Sequence, residues 1–501
     1  MSGSATTFNN FILGKWTSSR GGATFGDENP AARGSNLGDF QSSTVGDVRD
    51  AVDAAALAFP KWRRTPVIER KQHVDAFLKL LRDSREELAR IVTLENGKTI
   101  RESRAEVDSA LVEGSHHANQ IEAFYEDSGP AAFSDKTWMQ YEPVGVAGII
   151  SPWNFPMNVM CRKTLPALLT GNTVVFKPAT FTPWSGVFMA TLLEKAGLPA
   201  GVFNCVTGAG SSIGNALVTD PRVRAISFTG STAVGRQIQQ QAAANLTRTQ
   251  LELGGKNALI VMDDADLAQA VDAAITAGFS NAGQWCTSTS RVLLHRPIVR
   301  AFLKMLVARC EKMTVGDGLS ETTDMGPVAG PRQYEDIRAA IHQAEAEGAR
   351  LVTGGDPEPR DPSPETRAPR PEPRAPSPES SGYFIRPTVF TYVTPDMAIF
   401  REEIFGPVLA VCEFESVDEA IALGNRSMYG LSSAIFTTNP GTARAYVDGI
   451  EAGLAHVNIH TGYKEPAMPF GGIKQSGAGL PENSETGLEF FVDRKAVYVR
   501  G

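Results

Sequence analysis

Across residues 48–118 apolar positions recur at three- and four-residue spacing, in AVDAAALAF, HVDAFLKLLRD and ELARIVTLE, and this pattern predicts helices. The middle of the chain changes character. Short β-rich runs at 144–150, 173–176, 202–206, 225–228 and 258–262 alternate with helical stretches such as SGVFMATLLEKAG and SIGNALV. Strand, helix and strand at this spacing predict an α/β layer with a parallel sheet. A second series runs from about 267 to 457, through ADLAQAVDAAITAGF, AFLKMLVARC, YEDIRAAIHQAEAEGA, the strand-like IRPTVF, and VDEAIALGN. The closing stretch, 489–499, alternates weakly and reads as an edge strand.

One segment breaks the pattern. Residues 356–381 are rich in Pro, Glu, Arg and Ser, with an imperfect repeat, PEPRDPSPE at 357–365 and PEPRAPSPE at 371–379. Proline at this density excludes helix and sheet interior and favours extended, solvated chain. Flanking glycines at 354, 355 and 382 make it an excursion from a loop, read as a disordered insertion without a part in the chemistry. A docking site for a proline-reading partner is the functional alternative.

Length and composition narrow the class. At 501 residues, with 42% hydrophobic and 21% charged positions, the chain has material for two to four domains of an ordinary globular protein. A net charge of −8 disfavours nucleic acid as the main partner. No apolar run is long enough to span a bilayer, and MSGSATTFNN has no basic and then apolar leader. Five cysteines, at 161, 205, 286, 310 and 412, form no CxxC pair and read as reduced thiols, so the expected location is cytoplasmic.

The candidate chemistry centres on Cys286, in GQWCT, and Glu252, in ELGGK. A thiolate that attacks a carbonyl needs a second group to move protons or water, and a carboxylate suits that role. Three turns end apolar strands. FTGSTAVG offers Gly230 for close backbone approach and Ser231 at a helix N-terminus, where NH and OH groups meet phosphate. KPAT brings Lys177 beyond a strand end, within reach of ribose or phosphate. SPWNFP carries Asn154, whose amide NH groups suit an oxyanion. Each of these also has a bland reading: a structural βα turn, a solvated lysine, a turn-forming asparagine. His116, His117 and His460 have no metal-ligand spacing, so no metal site is expected.

Taken in order, SPWNFP, KPAT, FTGSTAVG, ELGGK, GQWCT, EEIFGPV at 402–408 and PFGGIKQSG at 469–477 make the chain resemble the aldehyde dehydrogenase superfamily from about residue 8 to 499, outside the insertion. The resemblance implies an α/β fold of three parts. A Rossmann-variant cofactor domain would take 1–124 and 144–252, and an α/β catalytic domain 253–475. A small β oligomerisation arm would take 125–143 and 476–501, in a homodimer or homotetramer.

It also implies roles. Cys286 would attack the aldehyde to give a thiohemiacetal, with Asn154 and the Cys286 backbone NH holding the oxyanion. Oxidation by a nicotinamide would leave a thioester, and Glu252 would activate the water that releases the acid. Lys177 matches the lysine on the adenosine ribose, Trp153 and Ser231 lie near the diphosphate beside Gly230, Leu253 lies near the carboxamide, and Glu403 holds the nicotinamide ribose with Phe405 beside it.

Two positions bear on specificity. Thr180 stands where NAD-preferring members often have a Glu that would repel a 2′-phosphate, so NADP is expected to be accepted alongside NAD, or preferred to it. Arg162, in WNFPMNVMCRK, matches the pattern of succinate-semialdehyde dehydrogenases, and an Arg can take a carboxylate bidentately. The second Arg of that subfamily is replaced by Ser280, and GQWCTSTSRV is also similar to 2-oxoglutarate-semialdehyde dehydrogenases. Arg162 and Phe470 are therefore the substrate candidates, with His460, Tyr463 and Lys464 in the variable loop. The alternative for Arg162 is pairing with an internal acid. Alternative readings of the chain are a general aliphatic or aromatic aldehyde dehydrogenase, a CoA-acylating enzyme, which commonly lacks the Glu base, and a non-catalytic relative.

Overall fold

The computed structural model describes residues 6–126, 137–356 and 382–500. The repeat-bearing stretch assigned to the insertion lies outside the described residues. Two parallel sheets organise the rest. The first is built from β1 (Val146–Ile150), β2 (Thr173–Lys177), β3 (Phe203–Cys205), β4 (Val223–Thr229) and β5 (Arg248–Glu252), all mutually parallel in the spatial order β5-β4-β1-β2-β3. β1, β2 and β3 are buried along their whole length, as expected where helices cover both faces of a parallel sheet. The order reverses between β1 and β4, so a crevice opens there beyond the carboxyl ends of the strands.

The second sheet contains β6 (Asn257–Val261), β7 (Thr289–His295), β8 (Thr388–Thr391), β9 (Val408–Phe414), β10 (Ser432–Phe436) and β11 (Leu454–Val457), in the order β8-β9-β7-β6-β10-β11. An antiparallel strand, Arg350–Thr353, closes its β8 edge. Separate hydrophobic cores form around each sheet, one including Phe302, Ile337 and Phe400, the other Phe77, Phe176 and Phe203.

The predicted helical region resolves into Val45–Trp62, Val67–Asp83, Arg85–Asn96 and α1 (Ile100–Glu126). Helix α2 (Pro156–Leu169) follows β1 and is buried at every position. The predicted terminal edge strand is Val492–Tyr498, paired antiparallel with Thr137–Pro143 in a two-stranded ribbon; a short helix, Ser484–Glu489, occupies the start of the stretch read as strand. The boundary expected near 476 is crossed by the first sheet, because Gly477–Ala478 pairs with β5. Short N-terminal strands such as Thr24–Glu28 and Asn36–Gln41 were not foreseen. No helix among the described residues is long and apolar enough to cross a membrane.

Candidate active site

Four turns converge beyond the carboxyl ends of the first sheet. Lys177 closes β2, Ser151–Asn154 follow β1, Gly230 and Ser231 follow β4, and Glu252 is the last residue of β5. Ser231 caps helix Thr232–Ala242, its Oγ accepting from the Val234 NH at 3.4 Å, so the helix presents its positive end to the crevice. Cys286 comes from the other layer, in the loop between helix Leu267–Phe279 and β7.

Close approach of the layers depends on two glycines. A Cβ at Gly254 would lie 2.0 Å from the Glu403 carboxylate, and one at Gly255 2.6 Å from the Cys286 carbonyl. Without side chains there, the Gly255 NH donates to Glu403 Oε1 at 2.9 Å, and Asn257 Nδ2 donates to the Cys286 carbonyl at 2.8 Å.

The turn before the nucleophile is strained. Asn281 (φ 50°), Ala282 (φ 52°) and Gly283 (φ 70°) are successively left-handed. For the two non-glycine residues that conformation costs about 1–3 kcal/mol each and needs outside support. The Asn281 NH donates to Glu102 Oε1 at 2.8 Å, and Asn281 Nδ2 donates to the Asn154 carbonyl at 3.0 Å. Gln284 is held in turn by the Ala329 NH at 2.9 Å. The turn therefore ties the Cys286 loop to Asn154 through backbone and amide contacts.

Two cavities meet at the thiol. One, of about 590 Å³, is lined by Trp153, Lys177, Thr180, Gly230, Ser231, Leu253, Glu403 and Phe405, the full set of cofactor candidates. The other, of about 370 Å³, is lined by Arg162, Phe470, His460, Tyr463 and Lys464, the substrate candidates, and also by Ser280. They share Asn154, Thr229, Glu252 and Cys286.

The electrostatics at this junction favour neutral forms. Burial, reinforced by the Glu252 charge, pushes the Cys286 thiol well up. Burial, and then the neighbouring Glu482 carboxylate, raise Glu252 to about 8, against the pull of Lys163, Arg162 and its hydrogen bond with Cys286. One Glu252 oxygen, Oε1, is buried without a hydrogen-bond partner. The Asn154 side-chain amide donates one NH to the Gln284 carbonyl at 3.1 Å, and the Asn154 backbone carbonyl accepts from Lys98 Nζ at 2.6 Å. In the larger cavity, burial lowers Lys177 to about 8 and raises Glu403 to about 7. Phe405 is left-handed (φ 56°) and packs edge-on to Trp153 at 5.4 Å.

Arg162 differs most from its sequence reading. Its Nε and Nη2 donate to Glu113 at 2.9 and 3.3 Å, Nη2 also to Asn158 Oδ1 at 2.7 Å, and Nη1 to Glu482 at 3.3 Å, while the guanidinium covers the Phe470 ring at 4.6 Å. The bidentate carboxylate it holds is internal. Burial alone would lower this guanidinium, but Glu113 and Glu482 hold it above its ordinary value. Burial likewise raises Glu113, yet Arg162 and Lys464 outweigh it and keep the carboxyl at about 2. Glu113, Glu482, Lys98 and Lys163 were all missed from the sequence. Lys163 lies inside a motif that drew attention for its neighbour; the others carry no local signature.

Comparison with known proteins agrees with this architecture. Residues 16–497 match the aldehyde dehydrogenase family. The chain is 39% identical to the alpha-ketoglutaric semialdehyde dehydrogenase of Bacillus subtilis (strain 168), covering 99% of this chain and 98% of that one. It is 38% identical to the 2,5-dioxopentanoate dehydrogenase of Saccharolobus solfataricus, covering 97% and 98%. Among solved structures, betaine aldehyde dehydrogenase from Staphylococcus aureus in complex with NAD+ superposes with a TM-score of 0.91 at 34% identity, covering 98% of this chain and 94% of that one. With the motifs in order along nearly the whole length and the fold alike, the chain belongs to the aldehyde dehydrogenase family.

Proposed function

We propose that this aldehyde dehydrogenase oxidises an acid semialdehyde to the dicarboxylic acid, with Cys286 as nucleophile, Asn154 as oxyanion donor and Glu252 as base. The observation that carries the reading is the junction at which these three groups, with Thr229, form the common wall of a larger and a smaller cavity. The substrate class rests on the semialdehyde relatives and on a partly exposed lysine, Lys464, in the wall of the smaller cavity.

The larger cavity suits a nicotinamide dinucleotide. It combines a buried lysine at a strand end, an open helix N-terminus and a buried carboxylate, Glu403. Lys177 and Glu403 would hold the two riboses, and Gly230, Ser231 and Trp153 would flank the diphosphate. Bound there, the dinucleotide supplies the two-electron acceptor for the hydrogen on the carbonyl carbon. Thr180 lines this cavity with no carboxylate to repel a 2′-phosphate, so NADP is used alongside NAD.

The protein's own groups handle the protons. As the C–S bond forms, the thiol proton passes to the Glu252 carboxylate, and the carbonyl oxygen takes the Asn154 NH not engaged by Gln284. Glu252 then releases that proton to solvent; when water attacks the thioester, Glu252 accepts a proton from it, the C–S bond breaks and the sulfur leaves as thiolate, which takes the proton back from Glu252. Asn154→Ala is expected to lower kcat about 10²–10³-fold, the usual loss for one oxyanion donor. Near-full kcat would remove Asn154 from the chemistry.

The test of the substrate reading is kcat/KM for succinic semialdehyde against butanal, of equal carbon count, each with saturating NADP and with saturating NAD. A preference for the acid of about tenfold or more, corresponding to about 1.4 kcal/mol, is expected. Equal or reversed preference would return the chain to general aldehyde oxidation. A far lower efficiency with NADP than with NAD would remove the role given to Thr180.

A further inference from the structure

The smaller cavity has several cations in or near its wall, and Lys98, Lys163 and Arg162 are each taken up by buried carboxylates, Glu482 being shared between Lys163 and Arg162. Lys98 has no side-chain exposure and bonds Glu106 at 2.6 Å. Lys163 pairs with Glu482 and donates to Ser227 Oγ at 2.9 Å. Arg162, 4% exposed in its side chain, grips Glu113 through Nε and Nη2. Of the two further wall acids, Glu102 accepts from the Thr99 NH at 2.8 Å and the Asn281 NH at 2.8 Å, and Glu252 belongs to the junction with the larger cavity.

Lys464 is the exception. Its ammonium shares the Glu113 carboxylate that Arg162 already neutralises, and it donates to Asn158 Oδ1 at 3.1 Å. Its side chain keeps 24% exposure, six times that of Arg162. Lys464 lines the cavity beside Phe470, its ammonium 5.9 Å from the ring centre that Arg162 covers from 4.6 Å. Two cations thus converge on one carboxylate, and the outer one is a compact ammonium on a four-carbon stem, against a planar fork already engaged.

We propose that Lys464 is the specificity-determining residue of the smaller cavity, turning from Glu113 to take the distal carboxylate of the substrate while Arg162 keeps Glu113 paired. Arg162 and Phe470 then act as positioning residues, fixing the acid that stations Lys464 in the unliganded site. The assignment rests on the acid-semialdehyde reading above and names the group that enforces it.

The experiment uses the full chain with saturating cofactor. The ratio of kcat/KM for succinic semialdehyde to that for butanal is measured for the wild type, Lys464→Met, Lys464→Gln and Lys464→Arg. The glutamine variant retains a donor for Glu113 and serves if methionine perturbs folding. Loss of one charge-assisted contact is expected to lower the ratio about 10- to 100-fold in the methionine and glutamine variants, chiefly through KM for the acid, with recovery in the arginine variant. An unchanged ratio in variants of an enzyme whose wild type prefers the acid overturns the role of Lys464 and leaves the substrate reading intact. A wild type without acid preference overturns both, and that outcome is read before any variant is made.

Discussion

Cys286→Ala is expected to retain the fold and the larger cavity yet lose aldehyde oxidation by a factor on the order of 10⁴–10⁶, as when other covalent enzymes lose their nucleophile. Cys286 is the one sulfur at the junction of the cavities, and the remaining four cysteines are buried away from it. Its thiol is pushed well up by burial and by the neighbouring Glu252, and in the proposed mechanism Glu252 accepts its proton. The measurement pairs steady-state rates with alkylation. The wild type should lose activity with one equivalent of bound reagent, and the alanine variant should take up none at that rate. Residual turnover above about 1% of wild type, a loss well short of that expected range, would assign the chemistry elsewhere.

Glu252→Gln is expected to be the next most damaging change, about 10²–10⁴-fold in kcat, the range for removal of a general base. Thioester release is the step it should cripple most, so acyl-enzyme should accumulate and be recovered by mass spectrometry on Cys286. The pH profile carries the same signature. With Glu252 raised to about 8, wild-type kcat/KM should climb about tenfold per pH unit below that value and flatten above it, and the glutamine variant should lack this limb.

The sign for stability is opposite. The unfolded carboxyl releases its proton near 4.5, and the folded one near 8. The proton's stabilising contribution is complete below 4.5 and disappears as pH rises through 8. Glutamine stays neutral throughout, so its thermal midpoint should exceed that of wild type by a margin that grows across this window. A variant that is less stable at high pH would contradict the burial of an ionising Glu252.

Much of the site was legible because its parts end strands. Val146–Ile150, Thr173–Lys177 and Val223–Thr229 announce themselves by apolar content, and the polar residues just beyond each run are the ones that line the larger cavity. Arg162 was legible as a charge on a buried helix, but its partners were not. Glu113 is 49 positions away and Glu482 is 320, each an acid among 56 acidic residues, and neither lies in a pattern that local sequence can single out. The left-handed Asn281 and Ala282 were equally invisible, since neither residue type requires that conformation and tertiary contacts impose it. The short strand Asn36–Gln41 contains a glycine and three charge-capable or amide positions, too little apolar alternation to mark a strand.

The shared wall of four residues also bears on kinetic order. In the proposed reading each ligand has its own chamber, so an occupied cofactor cavity would not obstruct the aldehyde, nor the reverse. Any compulsory sequence of addition, or of product departure, must then originate in the shared wall itself. Among the described residues, Asn154, Thr229, Glu252 and Cys286 are the lining residues common to both chambers, and through them a molecule on one side can alter the charge or position felt on the other.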